Sequence, residues 1–151
     1  MSDSQRFPVA AHILAFLAHA SAYAPDQAVS SAVLAGSICT NPVVVRRMTT
    51  QLSKAGMIAT RPGATGGAWL IRRAEDIRLD EVLKAVNGCA HLGCAPAGAK
   101  GCPVGELIPR TVNNAMKLAN AAAAERLSHI TVADLLRPLA ETGESETGHA
   151  A

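Results

Sequence analysis

Residues 41–56 carry two faces that cannot share one environment. With about 100° between successive residues of a helix, Val45, Met48, Leu52 and Ala55 fall on one side, and Val43, Arg46, Arg47, Thr50 and Lys54 fall on the other. Such a helix must lie on a core with its cationic side outward. Asn41 and Pro42 supply an N-cap and a proline in the first turn, where its missing N–H costs nothing, and Gly56 supplies the stop. Upstream, Ser30 can cap a short helix carrying Val33, Leu34 and Ile38. Downstream, residues 57–61 and 68–72 read as two short strands around the turn-rich run Pro62-Gly63-Ala64-Thr65-Gly66-Gly67. The succession predicts a helix-turn-helix at residues 30–54 followed by a hairpin wing.

The flanking segments read as helices. Residues 7–21 place Val9, Ile13, Phe16, Leu17 and Ala20 at helical spacing, with Pro25 and Asp26 ending that region. Residues 79–86 form a further short helix, stopped by Asn87-Gly88. Residues 103–129 carry Val104, Leu107, Ile108, Thr111, Ala115, Leu118, Ala119 and Ala122 at intervals of three and four. That stripe is too long and too alanine-rich to be buried on so small a head, which predicts residues 103–128 as the main interface of a homodimer. Thr131 opens a last helix through residue 139, and the polar residues 141–151 are expected to be disordered. The expected fold is mainly α with a small β-hairpin wing. Its parts are a winged helix at 1–87, a cysteine-bearing loop at 88–102, a dimerisation helix and C-terminal helix at 103–140, and a tail at 141–151.

Aromatic residues make up only 3% of the chain, so the core must be built from Ala, Val, Leu and Ile. A net charge of +2 is too small for a general polyanion binder and confines any nucleic-acid surface to a local patch. The apolar stretch at 9–24 is broken by His12, His19 and Ser21 and is shorter than the roughly 20 residues of a membrane span. The start of the chain does not read as a signal peptide. The expectation is a cytoplasmic protein without a membrane partner, whose four cysteines are thiols, metal ligands or redox sensors rather than a disulfide framework.

A polar face on a helix is commonly just a solvated face. Here the neighbouring elements favour duplex DNA. Arginine can pair bidentately with guanine in the major groove, while hydroxyl and lysine side chains hold phosphates and fix the register. Arg46 and Arg47 are therefore assigned to bases. Arg61 precedes a tip without bulky side chains and reads either as a minor-groove contact or as an ordinary exposed strand-end arginine. Ser30, Ser31, Asn41, Val43, Thr50, Lys54, Gly63 and Thr65 complete the predicted DNA-binding set, and a two-fold dimer implies a near-palindromic operator.

These residues also carry a resemblance. The runs Ser30-Ser31-Ala32-Val33-Leu34-Ala35, Asn41-Pro42, Val45-Arg46-Arg47, Leu52-Ser53-Lys54-Ala55-Gly56-Met57-Ile58 and Gly66-Gly67 resemble the Rrf2 family of bacterial transcriptional regulators, from residue 7 to about residue 138. The resemblance implies a winged-helix homodimer with Arg46, Arg47 and Arg61 at base-contacting or groove-contacting positions. The wing departs from the commonest pattern by an extra residue before the double glycine.

Cys89, Cys94 and Cys102 lie within 14 residues, among small residues that would let thiolates converge. Thiolates bind iron-sulfur clusters and soft metals, and they are also the species that oxidants attack. Some members of the resembled family hold an iron-sulfur cluster on three cysteines in this loop. Here the spacings, Cys89-x4-Cys94 and Cys94-x7-Cys102, are less even, and Gly105 stands where some relatives have a histidine ligand. A helix N-terminus favours an anionic sulfur, which singles out Cys102 as the most reactive thiol. Cys39 reads as a small buried apolar residue. His12 reads as a partly buried histidine bonded to backbone, or, by the resemblance, as a ligand given across the dimer, and His91 is a second candidate. The expected function is a homodimeric, sequence-specific DNA-binding regulator, a repressor, whose affinity responds to cysteine chemistry or a cysteine-bound iron-sulfur cluster. The competing readings are a small iron-sulfur or thiol redox protein without a DNA role, and a helical module binding another protein through its Arg/Lys face. No phosphate loop, nucleophile elbow or acid/base pair suggests an enzyme.

Overall fold

Helix α1 (Asp3–His19) buries Ala10, Ile13, Leu14 and Leu17, and the other elements of the head pack around it. The computed structural model describes residues 3–63, 65–87, 92–93 and 95–146. Helix α1 begins ahead of the expected residue 7. Pro8 sits in its second turn, near enough to the N-terminus that little of the hydrogen-bond ladder is lost.

Three successive helices end in the same way. After α1, α2 (Ser31–Ile38) and α3 (Pro42–Lys54), the residues Ser21, Cys39 and Gly56 take positive φ angles of 51°, 56° and 71°. The following amides, of Ala22, Thr40 and Met57, then reach back five residues to the carbonyls of Leu17, Ala35 and Leu52 at 2.9, 3.0 and 3.1 Å. Each left-handed residue reverses the chain and satisfies a carbonyl that the helix leaves open. The helix starts follow the sequence reading. Ser30 Oγ accepts from the Val33 N–H at 3.3 Å, and Asn41 Oδ1 accepts from the Val43 N–H at 2.8 Å. Helix α3 turns Val45, Met48, Thr49 and Leu52 into the core. Ala55, expected on that side, is instead the exposed cap residue.

Strands β1 (Ile58–Arg61) and β2 (Gly67–Leu70) pair antiparallel, with Ile58 opposite Leu70 and Arg61 opposite Gly67. They are shorter than the predicted 57–61 and 68–72. A bridge outside the hairpin fixes the wing to the start of α2: Val29 and Ala68 exchange N–H···O bonds of 2.9 Å in both directions. Two close backbone approaches explain the double glycine. A Cβ on Gly67 would stand 2.5 Å from the Val29 carbonyl oxygen, and one on Gly66 would stand 2.1 Å from that of Arg61.

Beyond the wing, Arg72 bonds Glu81 at 2.9 Å, and α4 (Leu79–Asn87) buries Leu79, Val82, Leu83 and Val86. Helix α5 (Pro103–Leu127) follows the cysteine-bearing segment, and α6 (Val132–Glu146) returns to pack on α1. The junction is tied to the head, since the Leu79 N–H donates to Ile130 O and the Val132 N–H donates to Ile77 O, both at 2.9 Å. Helix α6 continues past the expected end at residue 139, so residues 141–146, expected in a disordered tail, are helical. Their polarity does not oppose a helix, because glutamate is a fair helix former. Residues 147–151 lie outside the described residues.

Helix α5 behaves differently from the others. Of its 25 residues only Asn120 is buried. Val104, Leu107, Ile108, Val112 and Leu118 are exposed, Leu118 by 74%. Among the described residues, no helix is long and apolar enough to cross a membrane.

Candidate nucleic-acid interface

The capped start of α2, the outer side of α3 and the wing enclose an open cleft of about 820 Å³. Ser30, Ser31 and Ala32 line one end. Arg46, Thr49 and Thr50 line the α3 side, and Thr60, Arg61, Pro62, Gly63, Gly66 and Gly67 line the wing side. The Val29–Ala68 bridge sets the width of this cleft, because it ties the wing to the residue preceding the α2 cap.

Helix α3 therefore presents two strips. Arg46 lines the cleft beside the largely buried Thr49, whereas Val43, Arg47 and Lys54 are exposed without lining it and form an outward crest. Thr50 belongs to both, and its hydroxyl donates to Arg46 O at 2.8 Å, leaving the oxygen lone pairs available. Asn41 is exposed, but its side-chain oxygen is engaged by the cap, as is that of Ser30. The sequence reading missed Thr60, an exposed β1 residue lining the cleft next to Arg61; its alternation in the strand was the available signal.

Basic residues elsewhere on the surface are only partly paired, since among the described residues Lys84, Lys100, Arg110, Lys117 and Arg126 have no carboxylate within ion-pair distance. Arg72, Arg73, Arg78 and Arg137 each pair with a carboxylate. Among the described residues, no carboxylate pairs with Arg46, Arg47, Lys54 or Arg61. Unneutralised cations on one face attract a polyanion and can exchange its counterions. Arg61 is not extended. Its Nη2 donates to Thr65 O at 3.2 Å and folds the guanidinium back over the wing turn.

The cysteines are only partly visible. Cys89, Cys94 and His91 lie outside the described residues. Cys102 is exposed as the N-cap of α5, and its Sγ accepts from the Gly105 N–H at 3.4 Å. Cys39, expected to be buried, is exposed, because the left-handed turn after α2 leaves its side chain at the surface. His12 is also exposed, and its Nε2 lies 2.9 Å from Ser37 Oγ on α2, so its partner is a side chain rather than backbone. Among the described residues, no three His, Cys, Asp or Glu side chains converge to hold a metal ion.

The Rrf2 family model, described as an iron-dependent transcriptional regulator, matches residues 3–138. YwnA of Bacillus subtilis (strain 168), named as an HTH-type transcriptional regulator, is 32% identical over 137 residues, covering 90% of this chain and 98% of that protein. A solved structure named as a transcriptional regulator from Lactobacillus plantarum superposes with a TM-score of 0.71 at 25% identity, covering 95% of this chain and 99% of that one. CymR of B. subtilis, the global cysteine regulator, shares the fold with a TM-score of 0.59 at 17% identity, over 86% of this chain and 92% of its own.

Proposed function

Because the chain belongs to the Rrf2 family of DNA-binding transcriptional regulators, we propose that it acts as a homodimer on a near-palindromic duplex and that the thiols of residues 88–102 set its affinity. The observation that carries the DNA reading is the convergence of the α2 cap, α3 and the wing on one open cleft, a face that carries Arg46, Arg47, Lys54 and Arg61 with no carboxylate pairing them among the described residues. In this reading the crest enters the major groove, where Arg47 and Arg46 meet bases and the exposed Val43 suits a thymine methyl. Lys54, Thr50 and Ser31 hold phosphates. Arg61 reaches the minor groove by giving up its bond to Thr65.

The dimer reading is supported by the exposed apolar stripe of α5. Two copies joined along α5 would present two α3 helices to successive major-groove faces, about one helical turn apart. The cysteine reading is supported by the position of Cys102, which joins the loop to α5 as its N-cap.

Selection from random duplexes, followed by titration of the selected site, tests the DNA reading. Arg46→Ala and Arg47→Ala should each cost roughly 1 to 3 kcal/mol and relax the preference at one base position, whereas Lys54→Ala should weaken all sequences alike. Inverting one half-site should abolish tight binding. If all three substitutions lower affinity uniformly, the base assignments fail. The sensing role is tested by comparing the DNA affinity of reduced, oxidised and iron-sulfur-reconstituted protein with that of each Cys→Ser variant. A Cys102→Ser protein that responds like the parent throughout would remove that role.

A further inference from the structure

Helix α5 carries a second regular pattern besides its apolar stripe. Glu106, Asn113 and Asn120 recur every seven residues, an interval that falls about 20° short of two helical turns, so they form a nearly straight line. Successive members stand about 10.5 Å apart along the axis. Each gives a side-chain oxygen to a backbone N–H of the cysteine-bearing segment. Gly101 N donates to Glu106 Oε1 at 2.8 Å, Ala95 N to Asn113 Oδ1 at 2.8 Å, and Leu92 N to Asn120 Oδ1 at 3.3 Å. The segment therefore runs antiparallel along the helix.

The two backbones also touch where side chains are missing. A Cβ on Gly98 would lie 1.6 Å from the Gly105 carbonyl oxygen, and one on Gly105 would lie 2.9 Å from the Ala99 nitrogen. Asn120, only 8% exposed, is a buried polar residue whose side-chain oxygen is engaged by this segment. Of the stripe, Val104, Ile108, Ala115, Leu118 and Ala122 fall within about 40° of the opposite side of α5, and Leu107 and Ala119 within about 60°.

We propose that Glu106, Asn113 and Asn120 form a detachable clasp that registers the cysteine-bearing segment on the side of α5 away from the apolar stripe. Opening or closing this clasp passes a change at the Cys102 thiol to the long helix. Each bond exchanges a water partner for a protein one and is individually weak, which makes the clasp reversible. Cys102 adjoins the clasped Gly101 and caps the same helix turn, so a group added to its sulfur displaces the Gly105 N–H and disturbs the first rung. The thiol half of this proposal rests on the sensing reading above, and the clasp does not.

Amide hydrogen exchange in the full-length protein, resolved residue by residue, tests both halves. Asn113→Ala should raise exchange at the Ala95 amide about five- to tenfold, and Glu106→Ala should do the same at Gly101, with the α3 amides unchanged. Asn113→Asp, which keeps an acceptor oxygen, should stay within about twofold of the parent. An Ala95 amide indifferent to Asn113→Ala, or released equally by Asn113→Asp, overturns the clasp. Should Asn120→Ala fail to fold, these two exposed or half-buried positions still decide the matter. For the thiol half, a protein retaining Cys102 as its only cysteine is alkylated with iodoacetamide. Faster exchange at Gly101 and Ala95 is expected, and unchanged exchange overturns the coupling. If the clasp opens while DNA affinity stays the same, the sensing reading fails and the clasp stands.

Discussion

A cysteine in the left-handed region, as at Cys39 with φ 56°, is held there by the turn it closes rather than by its own preference. The Thr40 amide bond to Ala35 fixes the geometry, and the thiol adds a 3.8 Å contact to Gly36 O. Cys39→Gly should therefore relieve strain while loosening the unfolded chain. The expected balance is between no change and about 1 kcal/mol of added stability, read from denaturant unfolding. A loss of more than about 1 kcal/mol would mean that the side chain itself holds the turn. The same residues show what a sequence can reveal at this scale. Ser30, Asn41 and Gly56 are legible because capping is a local transaction between a side chain and the next few amides. Ser21 and Cys39 end their helices in the same way but carry no glycine, so only the folded backbone discloses their positive φ. The exposure of Cys39 and the bond of His12 to Ser37 follow from that turn and from the packing of α1 against α2, neither of which leaves a periodic trace.

Among the elements, α6 depends on a reciprocal cap. Asp134 Oδ2 accepts from the Thr131 N–H at 2.9 Å and from its hydroxyl at 3.0 Å, while Thr131 Oγ1 accepts from the Asp134 N–H at 3.3 Å. The Thr131 amide, then the Thr131 hydroxyl and more weakly the Arg137 charge, hold the Asp134 carboxyl below its ordinary value of 3.8. A depressed carboxyl stabilises the fold above its unfolded pKa, and that contribution is lost as the pH falls through the lower, folded value. Asp134→Asn should therefore weaken the protein at neutral pH and reduce the slope of stability against pH below 3.8, as followed by helical circular dichroism during acid titration. Equal slopes for the two proteins would show that the cap does not bond the ionised form. The elements of the head were largely legible, since amphipathic periods and turn residues are properties of short windows. The Val29–Ala68 bridge and the bonds of Asn113 and Asn120 on α5 were not, because each joins segments far apart in the chain.

At the scale of the whole molecule, the head closes its own core while α5 leaves its apolar stripe open. If a second copy covers that stripe, Leu118→Glu should give monomer by sedimentation with the head still folded, and an unchanged dimer would move the interface elsewhere. The stripe was legible as a periodic pattern, whereas the line of acceptors on the other side of the same helix looked like ordinary solvated polarity. An arm packed by a second copy, as proposed, is also subject to dilution. Each tenfold fall in concentration removes about 1.4 kcal/mol from the paired state, so the melting temperature of the parent should drop on dilution and that of Leu118→Glu should not. In a cell, the proposed pairing would make the number of copies part of the signal: with few, most chains would carry one reading head, and occupancy of a two-half site would climb with roughly the square of abundance.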